Sequence, residues 1–222
     1  GTGNAKGEYT LDTEIRNLKL KTPQISGEFK SIALQGKLLT DEMQASFKTP
    51  DIHINFSSPS GLDDFMKRIN ETTHLIEEQI EKQSIEIATL QKNLPRLELN
   101  ADIKSNKFIN AQLKEYGIQL QYANMHVSTL ENKPFSLSAY IDKLTTGGIL
   151  LDTISFKARQ DSSRLLYGVH IGNAPGNLDQ VASLGFNGYI AENHLRLRCL
   201  QKNRQKEQGF RFGCDAYMQD SL

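Results

Sequence analysis

From Tyr9 to Phe56 apolar residues recur at every second position. Tyr9, Leu11 and Ile15 share one parity and Leu18 and Leu20 the other, a change that a bulge or turn near Asn17 would cause. Residues 29–34 and 43–47 and the alternating Ile52, Ile54 and Phe56 read as further strands, with Pro23 and Pro50 as breaks and Gly27 and Gly36 inside the run. The period then lengthens. Leu62, Met66, Ile69, Thr73, Ile76, Ile80, Gln83, Ile87, Leu90 and Leu94 follow spacings of four and three. That predicts one amphipathic helix over 61–93, about 50 Å long, with Ser60 as N-cap, Asp63 in the capping-box position and Pro95 as the stop. Alternation resumes at Leu97, Leu99, Ala101 and Ile103. A short helix closed by Gly117 is expected within 106–117. Strands follow at 118–122, 125–130, 135–141, 149–158, 165–171, 186–190, 194–200 and 210–218, with turn signals such as Gly147-Gly148, Pro175-Gly176 and Glu192-Asn193 between them.

This pattern gives a mainly β, β-rich α+β chain: a curved antiparallel sheet, β-taco or roll, with one long amphipathic helix packed on the concave face. It divides into an N-terminal β segment (1–56), the helix (57–95) and a second antiparallel segment (96–222), all in one continuous domain. Residues 33–47 align with 185–199 without a gap, Gly36 falling on Gly188 and Met43 on Leu195, as a repeated hairpin would. Ten strands at about 4.8 Å extend far beyond the strip that one helix covers. Either the sheet curls round the helix or an apolar face is left for a lipid chain or a neighbouring segment.

The chain has 222 residues, 26 Lys plus Arg and 26 Asp plus Glu, so it lacks the basic surplus that nucleic-acid binding draws on. The one dense basic run, Lys202 to Lys206, reads as a solvated hairpin tip. No apolar run reaches membrane-spanning length, and no signal peptide is present. The opening Gly1-Thr2-Gly3-Asn4 reads as the edge of a segment excised from a larger protein.

No catalytic constellation emerges. The five histidines (His53, His74, His126, His170, His194) lack metal-ligand spacing, and no nucleophile elbow or dinucleotide fingerprint occurs. The reading is therefore non-enzymatic, with no cofactor, no metal and no nucleic acid. Cys199 and Cys214 flank one hairpin and fall opposite each other by mirror count about Lys206, as do Leu195 and Met218. They read either as a disulfide or as two small apolar thiols. The even positions of 194–200 (His194, Arg196, Arg198) form a cationic face behind the apolar odd ones.

The run "NAPGNLDQVASLGFNGYIAENHLRLRCLQKNRQKEQGFRFGCDAYMQDS", together with "FSSPSGLDDFMKRI" and the text of 88–99, resembles the TamB-like envelope proteins of Bacteroidetes, within the AsmA-like group. The resemblance runs from about Ile54 onward. It implies a periplasmic module of a translocation and assembly protein, anchored in the inner membrane outside this chain and linked to an outer-membrane barrel-assembly protein. Such proteins pass phospholipid along a hydrophobic β groove in outer-membrane biogenesis, and are tied to the translocation and assembly (secretion) of outer-membrane proteins. The groove positions it implies here are Leu34, Leu38, Met43, Phe47, Phe186, Ile190, Leu195, Leu197, Phe210 and Phe212. The helix stripe would be Leu62, Met66, Ile69, Ile76, Ile80 and Ile87. A helix this long departs from a plain groove. The alternative is a structural or protein–protein interaction domain whose helix fills the groove or mediates dimerisation.

Overall fold

The computed structural model describes residues 1–3, 7–21, 26–173, 182–205 and 207–218. The Pro23 break, the Pro175-Gly176 turn and Lys206 lie outside them. Among the described residues the chain forms fourteen strands and three helices. In chain order these are β1 (Thr2–Gly3), β2 (Tyr9–Lys21), β3 (Ser26–Leu38), β4 (Met43–Lys48), β5 (Ile52–Ser58), α1 (Leu62–Glu81), α2 (Ile87–Asn93), β6 (Glu98–Lys104), α3 (Lys107–Lys114), β7 (Ile118–Gln119), β8 (Tyr122–Ser128), β9 (Ser136–Thr146), β10 (Ile149–Asp161), β11 (Arg164–Asn173), β12 (Ser183–Ala191), β13 (His194–Lys202) and β14 (Gln208–Tyr217). All strands join one antiparallel sheet that does not close into a barrel. They pair in chain order, and only the short β7 stands off the path, against β9.

Strand pleating sends alternate residues to opposite faces, so the register decides what each face carries. One unbroken row runs Leu34–Phe47–Ile54–Ala101–Met125–Ala139–Phe156–Val169–Phe186–Cys199–Phe212, from β3 to β14. The next row along is Gln35–Ser46–Asn55–Asn100–His126–Ser138–Lys157–Gly168–Asn187–Arg198–Gly213. The sheet thus has one apolar and one polar face over its whole width.

Two long hairpins carry the same distortion. Asn17 in β2 and Lys143 in β9 adopt positive φ (54° and 51°). The rungs Asn17/Lys30 and Lys143/Asp152 drop out of the ladder while the β2–β3 and β9–β10 register on either side is kept. No extra residue is inserted, so the bulge expected near Asn17 is instead a left-handed residue that breaks the pleat. In both strands of each hairpin the parity of the apolar positions changes there: Ile15 to Leu18 and Ile32 to Phe29, Ile141 to Leu144 and Ile154 to Leu151. The tips beyond the kinks flank α3. Asn106 caps α3 by accepting from Ile109 N, and Gly117 (φ 68°) follows its end, as the sequence predicts. Phe108 of α3 packs edge-on against Phe29 of β3 at 5.0 Å.

The single long helix expected over 61–93 is two helices. Gln83 turns left-handed (φ 50°), Ser84 N bonds back to Gln79 O, and the chain restarts at Ile87. The break is held in place. Gln79 Oε1 accepts from Glu86 N, Ile85 N donates to Asn193 Oδ1 at 2.8 Å, and Asn193 N donates to Ile85 O. The helix start also differs. Gly61 is the N-cap, without a side-chain cap bond; the neighbouring Ser60 hydroxyl and, after it, Arg68, whose Nε donates to Asp64 Oδ2, hold the Asp64 carboxyl below its usual range. An added Cβ at Gly61 would lie 2.0 Å from Thr40 O, so only glycine fits there.

Candidate functional site

Every groove position named from the sequence lies on the apolar face. Leu34 pairs with Phe47, Leu38 with Met43, and Ile190 with Leu195. Phe186 and Phe212 flank Cys199, Leu197 faces Gly188, and Phe210 faces Gln201. The aligned segments 33–47 and 185–199 occupy equivalent places. In each, a glycine faces a small or aliphatic residue (Gly36–Ala45, Gly188–Leu197), with an aliphatic pair two rungs on (Leu38–Met43, Ile190–Leu195). At Gly188 the site admits no side chain, because a Cβ would sit 1.8 Å from Arg196 O.

This face is poorly covered. The chain exposes 14,665 Å² of surface, against about 10,200 Å² for a compact protein of 25.0 kDa. Among the described residues the buried apolar ones are Met43, Ala101, Ala158 and Cys199, and no large side chain is fully buried. A sheet this wide, with apolar rows left largely half-exposed, is not half of a closed core.

The helices partly roof one end. Phe65 of α1 packs edge-on against Phe56 on the apolar face at 5.7 Å. Fifteen residues on, Ile80 lines a cavity with Ile190, Tyr217 and Met218. Those fifteen residues span about 22 Å of helix. The eight strand steps from β5 to β14 would cover about 38 Å if flat. The sheet therefore bends beneath the helix. The cavity measures about 670 Å³, with Ile76, Ile85, Ile87, Leu90 and Leu165 completing its apolar lining. That lies within the range of roughly 300–1,000 Å³ usual for small-molecule sites. A second cavity of about 530 Å³ lies on the same face at the opposite edge of the sheet, against Tyr9, Leu11, Leu38, Met43 and Phe56.

The helix stripe is placed differently from expectation. Leu62, Met66, Ile76 and Ile80 are exposed, Ile80 to 71%. The face of α1 that packs runs Phe65, Arg68, Thr72, Leu75, Gln79, and Thr72 and Gln79 are buried. The reason is α2, whose end presents carbonyls. Thr72 Oγ1 donates to Asn93 O at 2.7 Å, and an Arg68 guanidinium nitrogen donates to Lys92 O at 3.3 Å. Polar side chains satisfy those acceptors and leucines do not. Ile76, Ile80 and Ile87 face the cavity between helices and sheet, while Leu62 and Met66 continue the stripe into solvent.

The cationic parity of 194–200 lies on the polar face. Arg196 Nε donates to Asp215 Oδ1 at 2.6 Å, His194 Nε2 lies 3.0 Å from the same oxygen, and the His194 ring stacks on Tyr217 at 4.2 Å. The Arg196 hydrogen bond, and after it that of His194, holds the Asp215 carboxyl below the usual carboxylate range. This cluster pins β14 to β13. It contains no nucleophile, and no group of three or more metal-ligating residues occurs among the described residues. Among the described residues no helix is long and apolar enough to cross a membrane.

The cysteines are free, Cys199 buried and Cys214 exposed. The hairpin register lies two residues from the mirror count: Cys199 faces Phe212, Cys214 faces Leu197, and Leu195 faces Ala216 rather than Met218. The ladder is centred one residue before the mirror centre at Lys206–Glu207, and a one-residue shift between Gln201 and Lys202 makes the displacement even. An even displacement keeps both thiols on the apolar face but removes the direct opposition that a bridge needs.

Against known proteins, the chain matches no family model, no curated protein and no solved structure.

Proposed function

We propose that the chain is an internal, non-enzymatic module of a TamB-like, AsmA-like envelope protein, and that its apolar face carries the acyl chains of phospholipid across the periplasm. In the full-length protein, inner-membrane anchoring and a barrel-assembly partner would place this groove between the two membranes, in the service of outer-membrane biogenesis and protein assembly. The observation that carries the reading is the unbroken apolar row from Leu34 to Phe212 across eleven paired strands, in which only the small Ala101 and Cys199 are buried. An acyl chain needs a dry wall without directional partners, and such a row supplies it continuously. Organic extraction of the purified chain, followed by mass spectrometry, tests it. Near-stoichiometric lipid is expected, and Leu195→Asp with Phe212→Asp should strip most of it, because a carboxylate cannot be buried against hydrocarbon unpaired. A lipid-free chain, or variants that stay fully loaded, would overturn the assignment.

The exposed Leu62 and Met66 favour a second reading, a protein-interaction module that docks through α1. A lipid-free chain that dimerises, and is rendered monomeric by Met66→Asp, would select that reading.

A further inference from the structure

The polar face is not uniform. Across β2–β6 it holds a recess of about 510 Å³ around Gln35, Ser46, Asn55 and Asn100. That recess carries the carboxylates of Asp12 and Glu98, and its lysine, Lys37, is ion-paired with Glu42. In the middle of the sheet, across β9–β11, a recess of about 450 Å³ is bounded by Ser136, Ser138, Lys157, Arg159, Leu166 and Gly168. These six make two rungs of the ladder, Ser136–Arg159–Leu166 and Ser138–Lys157–Gly168. The recess opens on the polar side. The apolar-face neighbours Ala139, Phe156 and Val169 do not line it, and Ala158 at its base, which points to the apolar face, is only 6% exposed.

Its chemistry is that of an anion site. Lys157 and Arg159 are exposed and stand two residues apart on one face, and among the described residues no ion pair engages either. The carboxylates nearby in register are already taken, Asp161 by Arg164 at 3.6 Å and Glu98 by Lys133 at 3.5 Å. Two unneutralised cations side by side repel each other, and a bound anion would relieve that repulsion. Ser136 and Ser138 lie directly across the ladder from the two cations, and among the described residues no hydrogen bond occupies their hydroxyls. Gly168 leaves the floor bare on the Lys157 side: a Cβ there would meet nothing closer than Phe186 O at 3.9 Å. A lysine point charge, an arginine fork and two hydroxyls outnumber the oxygens of a carboxylate and suit the larger oxygen set of a phosphate.

We propose that Lys157, Arg159, Ser136 and Ser138 form a phosphate-binding site, which takes the phosphoryl group of a soluble phosphomonoester or of a lipid headgroup. The volume of the recess leaves room for the group that carries the phosphate. The site stands apart from the acyl-chain reading. The two faces lie on opposite sides of one sheet, so a lipid whose tails rest on the apolar face cannot place its own phosphate here.

Two binding measurements on the whole chain test the site and distinguish the sources. Calorimetric titration with glycerol 3-phosphate probes a soluble ligand, and cosedimentation with phosphatidylglycerol vesicles probes a bilayer surface. Saturable binding of glycerol 3-phosphate supports the site with a soluble occupant; binding to the vesicles alone supports it with a headgroup. In whichever arm binds, Lys157→Gln and Arg159→Gln should each weaken binding about tenfold, as loss of a charged hydrogen bond does. Gly168→Leu keeps both cations but fills the floor, and should abolish binding. Arg211→Gln removes an exposed cation four strands away on the same face, and should leave binding unchanged. No binding in either arm overturns the proposal. So does a Gly168→Leu chain that binds normally, or an Arg211→Gln chain weakened as much as Lys157→Gln, since the attraction would then be diffuse.

Discussion

The β2–β3 and β9–β10 hairpins are built alike and fare differently. Each has a left-handed residue two places beyond an isoleucine, a dropped rung, and an isoleucine pair just before it: Ile15–Ile32 in one, Ile141–Ile154 in the other. In β9–β10 the pair is flanked by β8 and β11 and is half-buried. In β2–β3 no strand among the described residues flanks Ile15 on the outer side, and it is 43% exposed. In this molecule a side chain is shielded by the strands beside it more than by anything stacked above it. A one-layer sheet draws its stability laterally, and its margins are weak for that reason.

The widest gap between the two hairpins should appear on truncating the isoleucines. Ile141→Ala should lower unfolding free energy by about 2 kcal/mol and Ile15→Ala by less than about 1 kcal/mol in urea titrations, since the second removes little that water did not already reach. Equal losses would mean that something covers the β2 side. A smaller effect should follow at the kinks. Lys143→Gly removes the strain of a left-handed lysine and should raise stability by about 0.5–1 kcal/mol, less whatever its exposed pair with Asp152 contributes. Asn17→Gly should change almost nothing, asparagine tolerating that conformation. The smallest contrast lies in acid sensitivity at the two margins. Asp215 is held across strands by Arg196 and His194, whereas Glu14 is held by Arg16 two places along its own strand, and both carboxyls sit below their ordinary range. A carboxyl with a lowered folded pKa stabilises above its unfolded value, and that contribution disappears as pH falls through the folded one. Asp215→Asn should therefore flatten the loss of stability below about pH 4, and Glu14→Gln should flatten it less, because a neighbour along the strand partly persists in the unfolded chain.

Much of this was legible in the chain. Strands appear because period-two alternation and turn residues bracket each one, and the apolar rows follow once neighbours in sequence pair. The helix failed differently. Its apolar stripe was real, but a stripe does not say what it meets. Thr72 is buried against the carbonyl of Asn93 and Gln79 against the amide of Glu86, at the two ends of α2, and that depends on a break at Gln83 that no proline or glycine announces. A Phe65–Thr72–Gln79 spacing of seven was the available signal. The cysteine register failed because the hairpin centre guessed from the basic tip lies a residue too far along the chain, which displaces every rung by two.

Pairing in chain order has a further consequence, for how such a molecule comes into being. Each strand finds its template in the one made just before it, so the sheet can be assembled vectorially as the polypeptide emerges, without waiting for distant segments. Two excursions interrupt that sequence, the long one through α1 and α2 between β5 and β6 and a shorter one through α3 and β7 between β6 and β8. By the same logic, adding or deleting a two-strand unit leaves every other ladder intact. The span of the structure is thus free to drift in evolution by steps of a hairpin.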